Sequence, residues 1–577
     1  MNEKNKLAKI EASHEENKVK TFEVLSITGK DQIPELCKKI EYLEKDFITN
    51  TLQNVDFPFT VVVNKQYVDK VFRDAYYIYL SSKHFDYSRN CTRLCFFKGE
   101  YKPEDFICSS TDDDKHIELN ENLIGITVVR PSTVPDFQRT VGRTLLDPRK
   151  LNIRNVKLCT TDFEVNILGK KYRINSFPFM SQDSEVMKCA ETTVWGIMEF
   201  FGTCKPLYKT VLPSDIIKFL NKISKERNLP SNGLTYSQVT NLFKFFGFEP
   251  KTYNRKTYSV KNVETRLSAK PNDNGFSDDM RNSSSSTDSV LTDINFNDII
   301  SDNIDLKRII HCYSLSAIPF AMGLRDKHDL EVESENDGHS VICIGCGEPI
   351  FDLTRAKNTI RTEHLTFVDS ADFFESYVIM DDNKYPYSIE EYDKFSNSNM
   401  KVDTISVPLY KHVFLDAPSA IGIVYNFLIQ YAKDIKDILS EHEEIKECVS
   451  SEPLITNLFL TSSSVFQSFR SDKAKAFQEK LLYLDHRFPR YIWVCELSPF
   501  SLYKSDKVVG EVILDATSDV NDLMESIISV RLGNYEAYHS SMNEDWSSEW
   551  STDASWDYKF DSFQGNLENI NGREASQ

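Results

Sequence analysis

Cys189 stands at the head of an apolar run, in surroundings that suit a reactive thiol. The stretch Ser181-Gln182-Asp183-Ser184-Glu185-Val186-Met187-Lys188-Cys189-Ala190-Glu191 leads into TTVWGIMEFFG. Ala190, Val194, Ile197, Met198 and Phe201 recur at helical spacing on one face, and Gly202 can end the run. The spacing predicts a buried helix with Cys189 near its start. A helix N-terminus carries partial positive charge, which favours a thiolate, and the thiolate is the nucleophile. Gln182 precedes the thiol by a loop. Its amide can return beside the sulfur and join the Cys189 backbone N–H as an oxyanion hole. Alone, a helical cysteine is more often a small buried hydrophobe.

Two further segments supply a base and its partner. Asp337-Gly338-His339-Ser340 closes a polar loop and enters the apolar run VICIG. A histidine at the mouth of a strand is held rigidly while one ring edge faces a cleft; the plain reading is a satisfied, half-buried ring. Tyr377-Val378-Ile379-Met380-Asp381-Asp382-Asn383 is an apolar strand that stops in three hydrogen-bond acceptors. One of them can orient the His339 ring and stabilise its imidazolium form. A polar turn is the commoner use of such a triplet.

Cys343 and Cys346 follow His339 and invite a zinc reading. They lack a convincing partner pair, since Cys91 and Cys95 lie far off in sequence. On a strand, residues three apart face opposite sides. No metal and no cofactor are therefore expected, and the two thiols read as part of a buried strand.

The elements that must position these groups follow from periodicity and stop signals. Gln32 to Phe47 and Val68 to Leu80 read as amphipathic helices. Leu123 to Val129 reads as a buried strand stopped by Pro131. Arg139, Arg143 and Arg149 cluster after it; in so acidic a chain, ion pairing is their expected use, ahead of an anion site. Phe163 to Phe177, split at ILGKKYRI, has a hairpin pattern. Pro213-Ser214-Asp215 opens a helix, and Thr235 with Gln238 forms a capping box for another that stops at Gly247. Leu306 to Tyr313 and Ala417 to Ile435 read as helices. Ala317 to Met322, His339 to Ile344, Ser376 to Met380, Tyr491 to Leu497 and Glu511 to Leu514 read as strands.

The order is glutamine, helical cysteine, helices, strand, histidine on a strand, then aspartate closing the next strand. In that order the chain resembles the papain-like cysteine peptidases, and most of all the branch with the bacteriocin-processing, double-glycine leader peptidases. QDSEVMKCAETTVW, LTYSQVTNLFKFFGFEP, SAIPFAMGL, GHSVICIGC and YVIMDDN carry the resemblance, over roughly residues 175–390. It implies an α+β fold in which the helix bearing Cys189 packs on an antiparallel sheet bearing His339 and Asp381. It also implies Gln182 as oxyanion stabiliser, Cys189 as nucleophile, His339 as general base and acid, and Asp381 as the orienting residue, with Asp382 or Asn383 as alternatives. The chain departs from the pattern in three ways. Six residues separate Gln182 from Cys189, one more than usual. Lys188 precedes the nucleophile, where it either favours the thiolate or points to solvent. A long insertion interrupts the core. The transporter segments that accompany leader peptidases are not found in the sequence.

Composition bounds the rest. A chain of 577 residues exceeds one core, and 40% hydrophobic with 27% charged residues is a globular balance. A net charge of −19 argues against a nucleic-acid surface, which needs clustered Lys and Arg. No secretory leader and no membrane-spanning run are seen, so twelve irregularly spaced cysteines read as reduced thiols of a cytoplasmic protein. The expected organisation is a disordered arm over 1–20, an α+β region over 21–160 and a papain-like domain over 161–400 with a low-complexity insertion at 268–290. A second α+β region over 401–531 and an acidic, aromatic, disordered tail over 532–577 complete it. The expected activity is hydrolysis of a peptide or isopeptide bond in a peptide or protein substrate. Acyl transfer to an amine by the same triad, or a non-catalytic papain-like scaffold, are the alternatives. The tail, with Trp546, Trp550 and Trp556 among acidic residues, is a candidate docking segment for a protein partner.

Overall fold

Amphipathic helices and strands rich in β-branched and aromatic residues share the molecule. The computed structural model describes residues 22–570 apart from 41–46, 48–49, 53–54, 85–86, 109–113, 135–137, 226, 259–303, 327–337, 396–399, 519–525, 540–545 and 551–556. The expected arm over 1–20 and the insertion at 268–290 lie outside the described residues. The architecture is α+β, and among the described residues the sheets are antiparallel except for one strand pair. The chain divides into two compact units. One holds Met1–Ile153, Thr161–Gly233 and Asp382–Pro386; the other holds Arg154–Thr160, Leu234–Asp381 and Tyr387–Gln577. This division cuts across the domain expected over 161–400.

In the first unit, β1 (Phe22–Ile27), β2 (Phe59–Tyr67), β3 (Cys91–Lys98), β4 (Leu123–Val134) and β5 (Gln138–Leu146) form a five-stranded meander. Pro131 does not stop β4, as had been expected. The β4–β5 register slips between Val129 and Thr133, and the proline sits in that irregularity, where no ladder N–H is required. The hairpin β6 (Thr161–Ile167) and β7 (Lys170–Ser176) turns at Leu168 and Gly169, with φ of 49° and 85°. Two positive φ values are what a tight two-residue turn needs. Its apolar face, Phe163, Val165, Tyr172 and Ile174, joins Phe97, Phe106 and Leu119 in one core. The helix expected from Gln32 is α1 (Ile33–Lys39), and that expected from Val68 is α2 (Lys70–Ile78).

The second unit contains two large sheets. The first runs β15 (Ser388–Glu391), β14 (Ser376–Met380), β11 (His339–Gly347), β10 (Phe320–Asp326), β16 (Met400–Val407), β9 (Lys251–Asn254). The short strand β8 (Val156–Leu158) pairs with the far end of β11 at Gly345–Gly347, and with β25 (Glu568–Ile570). The second sheet runs β12 (Thr359–Arg361), β13 (Thr366–Asp369), β17 (Leu454–Ser462), β18 (Tyr491–Pro499), β20 (Gly510–Asp515), β21 (Ile527–Leu532), β22 (Tyr535–His539), β23 (Trp546–Trp550). Helix α6 (Leu306–Leu315) packs against both β11 and β17. Its Tyr313 hydroxyl is 2.8 Å from that of Tyr253 and accepts the Ala417 N–H.

The tail expected to be disordered over 532–577 contains β22, β23, β24 (Phe560–Asp561) and β25. Buried arginines hold part of it. Arg470 lies 2.7 Å from Glu496 and 2.8 Å from Glu511. Arg531 donates to Glu479, to the Tyr483 hydroxyl and to the Asp557 carbonyl. Phe560 packs against both guanidiniums, at 4.1 Å from Arg531 and 4.9 Å from Arg470. Glu496 also accepts the Ser562 hydroxyl and the Phe563 N–H. These partners lie far upstream, so local composition misreads the segment. Trp556 lies outside the described residues. No helix among the described residues is long and apolar enough to cross a membrane.

Candidate active site

The loop before Cys189 is folded onto one aspartate. Asp183 Oδ1 accepts the N–H groups of Glu185, Val186 and Met187 at 3.0, 2.8 and 2.8 Å, and the Asp183 N–H donates to the Met187 carbonyl. This turn takes up most of the residues between Gln182 and Cys189. Arg130 secures it from below, 3.9 Å from Asp183 Oδ2 and donating to the Ser181 carbonyl. Ser181 is tied in turn to Val141 on β5.

Cys189 is the first residue of α3 (Cys189–Cys204), and Lys188 is its N-cap in extended backbone. No side chain of the cap residue satisfies the helix start. The amides of the first turn and the helix dipole therefore act at the position of the half-buried thiol. Apolar residues all round α3, among them Val194, Trp195, Ile197 and Phe201, bury it and fix that position. Glu191, in the first turn, is buried and bonded to the Ser231 hydroxyl. Burial pushes its carboxyl above the usual carboxylate range, opposed chiefly by that hydroxyl.

His339 opens β11, opposite Leu324 of β10. On the other side of β11, Ile342 pairs with Met380, the last residue of β14. Asp381 follows beside Val341, and the pleat puts it diagonally next to His339 on one face. His339 Nε2 and Asp381 Oδ1 are 2.8 Å apart, with side chains 14% and 6% exposed. A charge-assisted bond at that depth is little screened. Nε2 must carry the proton that the carboxylate accepts, which makes Nδ1 the basic nitrogen.

The structure thus joins His339 to Asp381, the first of the three acceptors. The third, Asn383, accepts a 2.6 Å hydrogen bond from Gln182 Nε2. That partnership was missed: in sequence, Asn383 registers only as another candidate partner for His339. Asp382 is buried. Cys189, Gln182 and Asn383 belong to the first unit; His339 and Asp381 belong to the second. Cys343 and Cys346 are buried in β11, and burial pushes both thiols up to about 12. None of the eleven cysteines described here is in a disulfide. Arg143 pairs with Glu199 at 2.8 Å and Arg149 with Asp147 at 2.8 Å, so both serve ion pairs.

No protein-family model, no curated protein and no solved structure matches the chain.

Proposed function

We propose that this chain is a papain-like cysteine hydrolase that cleaves a peptide or isopeptide bond. The observation that carries the reading is the 2.8 Å bond between His339 Nε2 and Asp381. A buried carboxylate held against a strand-borne imidazole fixes one tautomer and supports the imidazolium, as a general base in acyl transfer requires. The start of α3 at Cys189 supports the nucleophile's role.

In the proposed reaction the Cys189 proton passes to His339 Nδ1. The thiolate attacks the acyl carbon, forming the S–C bond. The carbonyl oxygen takes the negative charge and is held by the Cys189 N–H and the Gln182 amide. Collapse breaks the C–N bond, and the imidazolium returns its proton to the leaving amine. Water, deprotonated by His339, then attacks the thioester and frees the carboxylic acid and the thiol. Asp381 stays ionised throughout and keeps the ring oriented.

The test needs no natural substrate. Iodoacetamide labelling followed by peptide mass spectrometry should modify Cys189 faster than the other cysteines at pH 6–7, and His339→Ala should remove that advantage. Labelling of Cys189 at the pace of Cys204 and Cys448, which are also half-buried, or an unaltered rate in His339→Ala, would overturn the reading.

A further inference from the structure

Resting on the reading just given, we propose that Asn383 is the positioning residue for the Gln182 amide. The Gln182 side chain is long and only half-buried, and rotamer freedom would otherwise spread its amide over several directions. Asn383 Oδ1 removes that freedom by accepting one Nε2 hydrogen at 2.6 Å. A primary amide has two such hydrogens. One is committed to Asn383, and the other is the donor that a developing oxyanion needs.

The same turn holds the base. Asp381 binds His339 at 2.8 Å, and Asn383 is two residues further on. The chain leaves the second unit after Asp381 and enters the first at Asp382. One short stretch of backbone therefore anchors the acceptor for the imidazole and the acceptor for the oxyanion amide. This gives two of the three acceptors that follow the strand a use, where orientation of a histidine needs one. Asp381 and Asn383 have different clients.

Two electrophiles separate this role from mere stability. Alkylation by iodoacetamide forms an S–C bond and expels iodide without an oxyanion. Acylation by p-nitrophenyl acetate forms an S–C bond through a tetrahedral oxyanion and expels p-nitrophenolate, which is read by its absorbance. The ratio of the two rates at Cys189 reports oxyanion stabilisation and cancels changes in thiolate content. Asn383→Ala and Asn383→Leu should lower that ratio about 10-fold, a fraction of what loss of a whole oxyanion donor does. Asn383→Asp should restore it, because a carboxylate oxygen accepts the same Gln182 hydrogen. Gln182→Ala with Asn383→Ala should be no lower than Gln182→Ala alone. An unchanged ratio in Asn383→Ala, or additive losses in the double variant, overturns the assignment of Asn383. If His339→Ala still abolishes acylation in that event, the hydrolase reading survives. If wild-type acylation does not depend on His339, both fall.

Discussion

The ring of Tyr236 fills the space that a β-carbon on Gly323 would need. A Cβ built there would lie 2.2 Å from Tyr236 Cε1 and 2.4 Å from its hydroxyl oxygen. Gly323 pairs with Ser340, the neighbour of His339, so this contact sets the level of α5 (Tyr236–Phe245) against the strand pair that carries His339. Gly323→Ala should lower stability by about 1–3 kcal/mol through overpacking. Tyr236→Ala in the same chain should return most of that loss. Urea midpoints of the two single variants and the double variant measure the coupling, and strictly additive losses would show that the ring does not restrict the site.

Removal of the Asp381 carboxylate should silence the proposed base, His339, without harm to the helix that begins at Cys189. Asp381→Ala should slow acylation of Cys189 by p-nitrophenyl acetate by about two orders of magnitude or more, because the imidazole loses its fixed tautomer. Asp381→Asn, which can still accept through Oδ1, should fall between. Stopped-flow absorbance gives the rates. A wild-type rate in Asp381→Ala would show that the 2.8 Å bond is only structural.

His311 should make the second unit acid-sensitive. Its ring lies against Phe374, with Nε2 3.1 Å from the Ser370 hydroxyl, and burial pushes it down from 6.5 to about 3. Between those values the unfolded chain binds a proton that the folded one does not. Stability is therefore whole above about pH 6.5 and declines as pH falls, by about 1.4 kcal/mol per pH unit for this one group. His311→Gln should flatten the slope of denaturation midpoint against pH between 6.5 and 4.5. An unchanged slope would assign the acid sensitivity elsewhere.

Arg531 is completely enclosed, and its loss should loosen the C-terminal segment before anything else. Arg531→Ala leaves Glu479 and the Asp557 carbonyl without their donor. Breaking a buried ion pair from one side costs about 3–5 kcal/mol. The expected result is a lower melting temperature and faster trypsin cleavage after Lys559 than in the wild type. Equal cleavage rates would mean that Phe560 and β24 hold the segment without the guanidinium.

Parts of this architecture can be read directly from the chain. β14 occupies Ser376–Met380 as expected, because an unbroken apolar run ends in a polar stop. The capping box at Thr235 and Gln238 opens α5 with both reciprocal bonds present. The helix expected over Ala417 to Ile435 is instead two, Ala417–Gln430 and Ala432–Leu439, with the break at Tyr431. The C-terminal strands were hidden for a different reason. Asp561 and Ser562 look like solvated residues, and distant partners such as Lys507, Arg470 and Glu496 make them part of a fold. The site divides in the same way. Cys189 and His339 announce themselves by element boundaries, whereas the bond from Gln182 to Asn383 spans 201 positions with no local pattern to mark it.

The pairing of β25 with β8 sets a timetable for synthesis. Thr160 donates to Glu568 across 408 positions, and the Asn155 N–H reaches the carbonyl of Ile570. A ribosome will have released the segments of β8, β11 and β14 long before it translates the codons for residues 568–570. Until then β8 has an open outer edge, and such an edge is an invitation to pair with the wrong chain. The last few described residues thus close the outer edge of a strand translated about 400 positions before them.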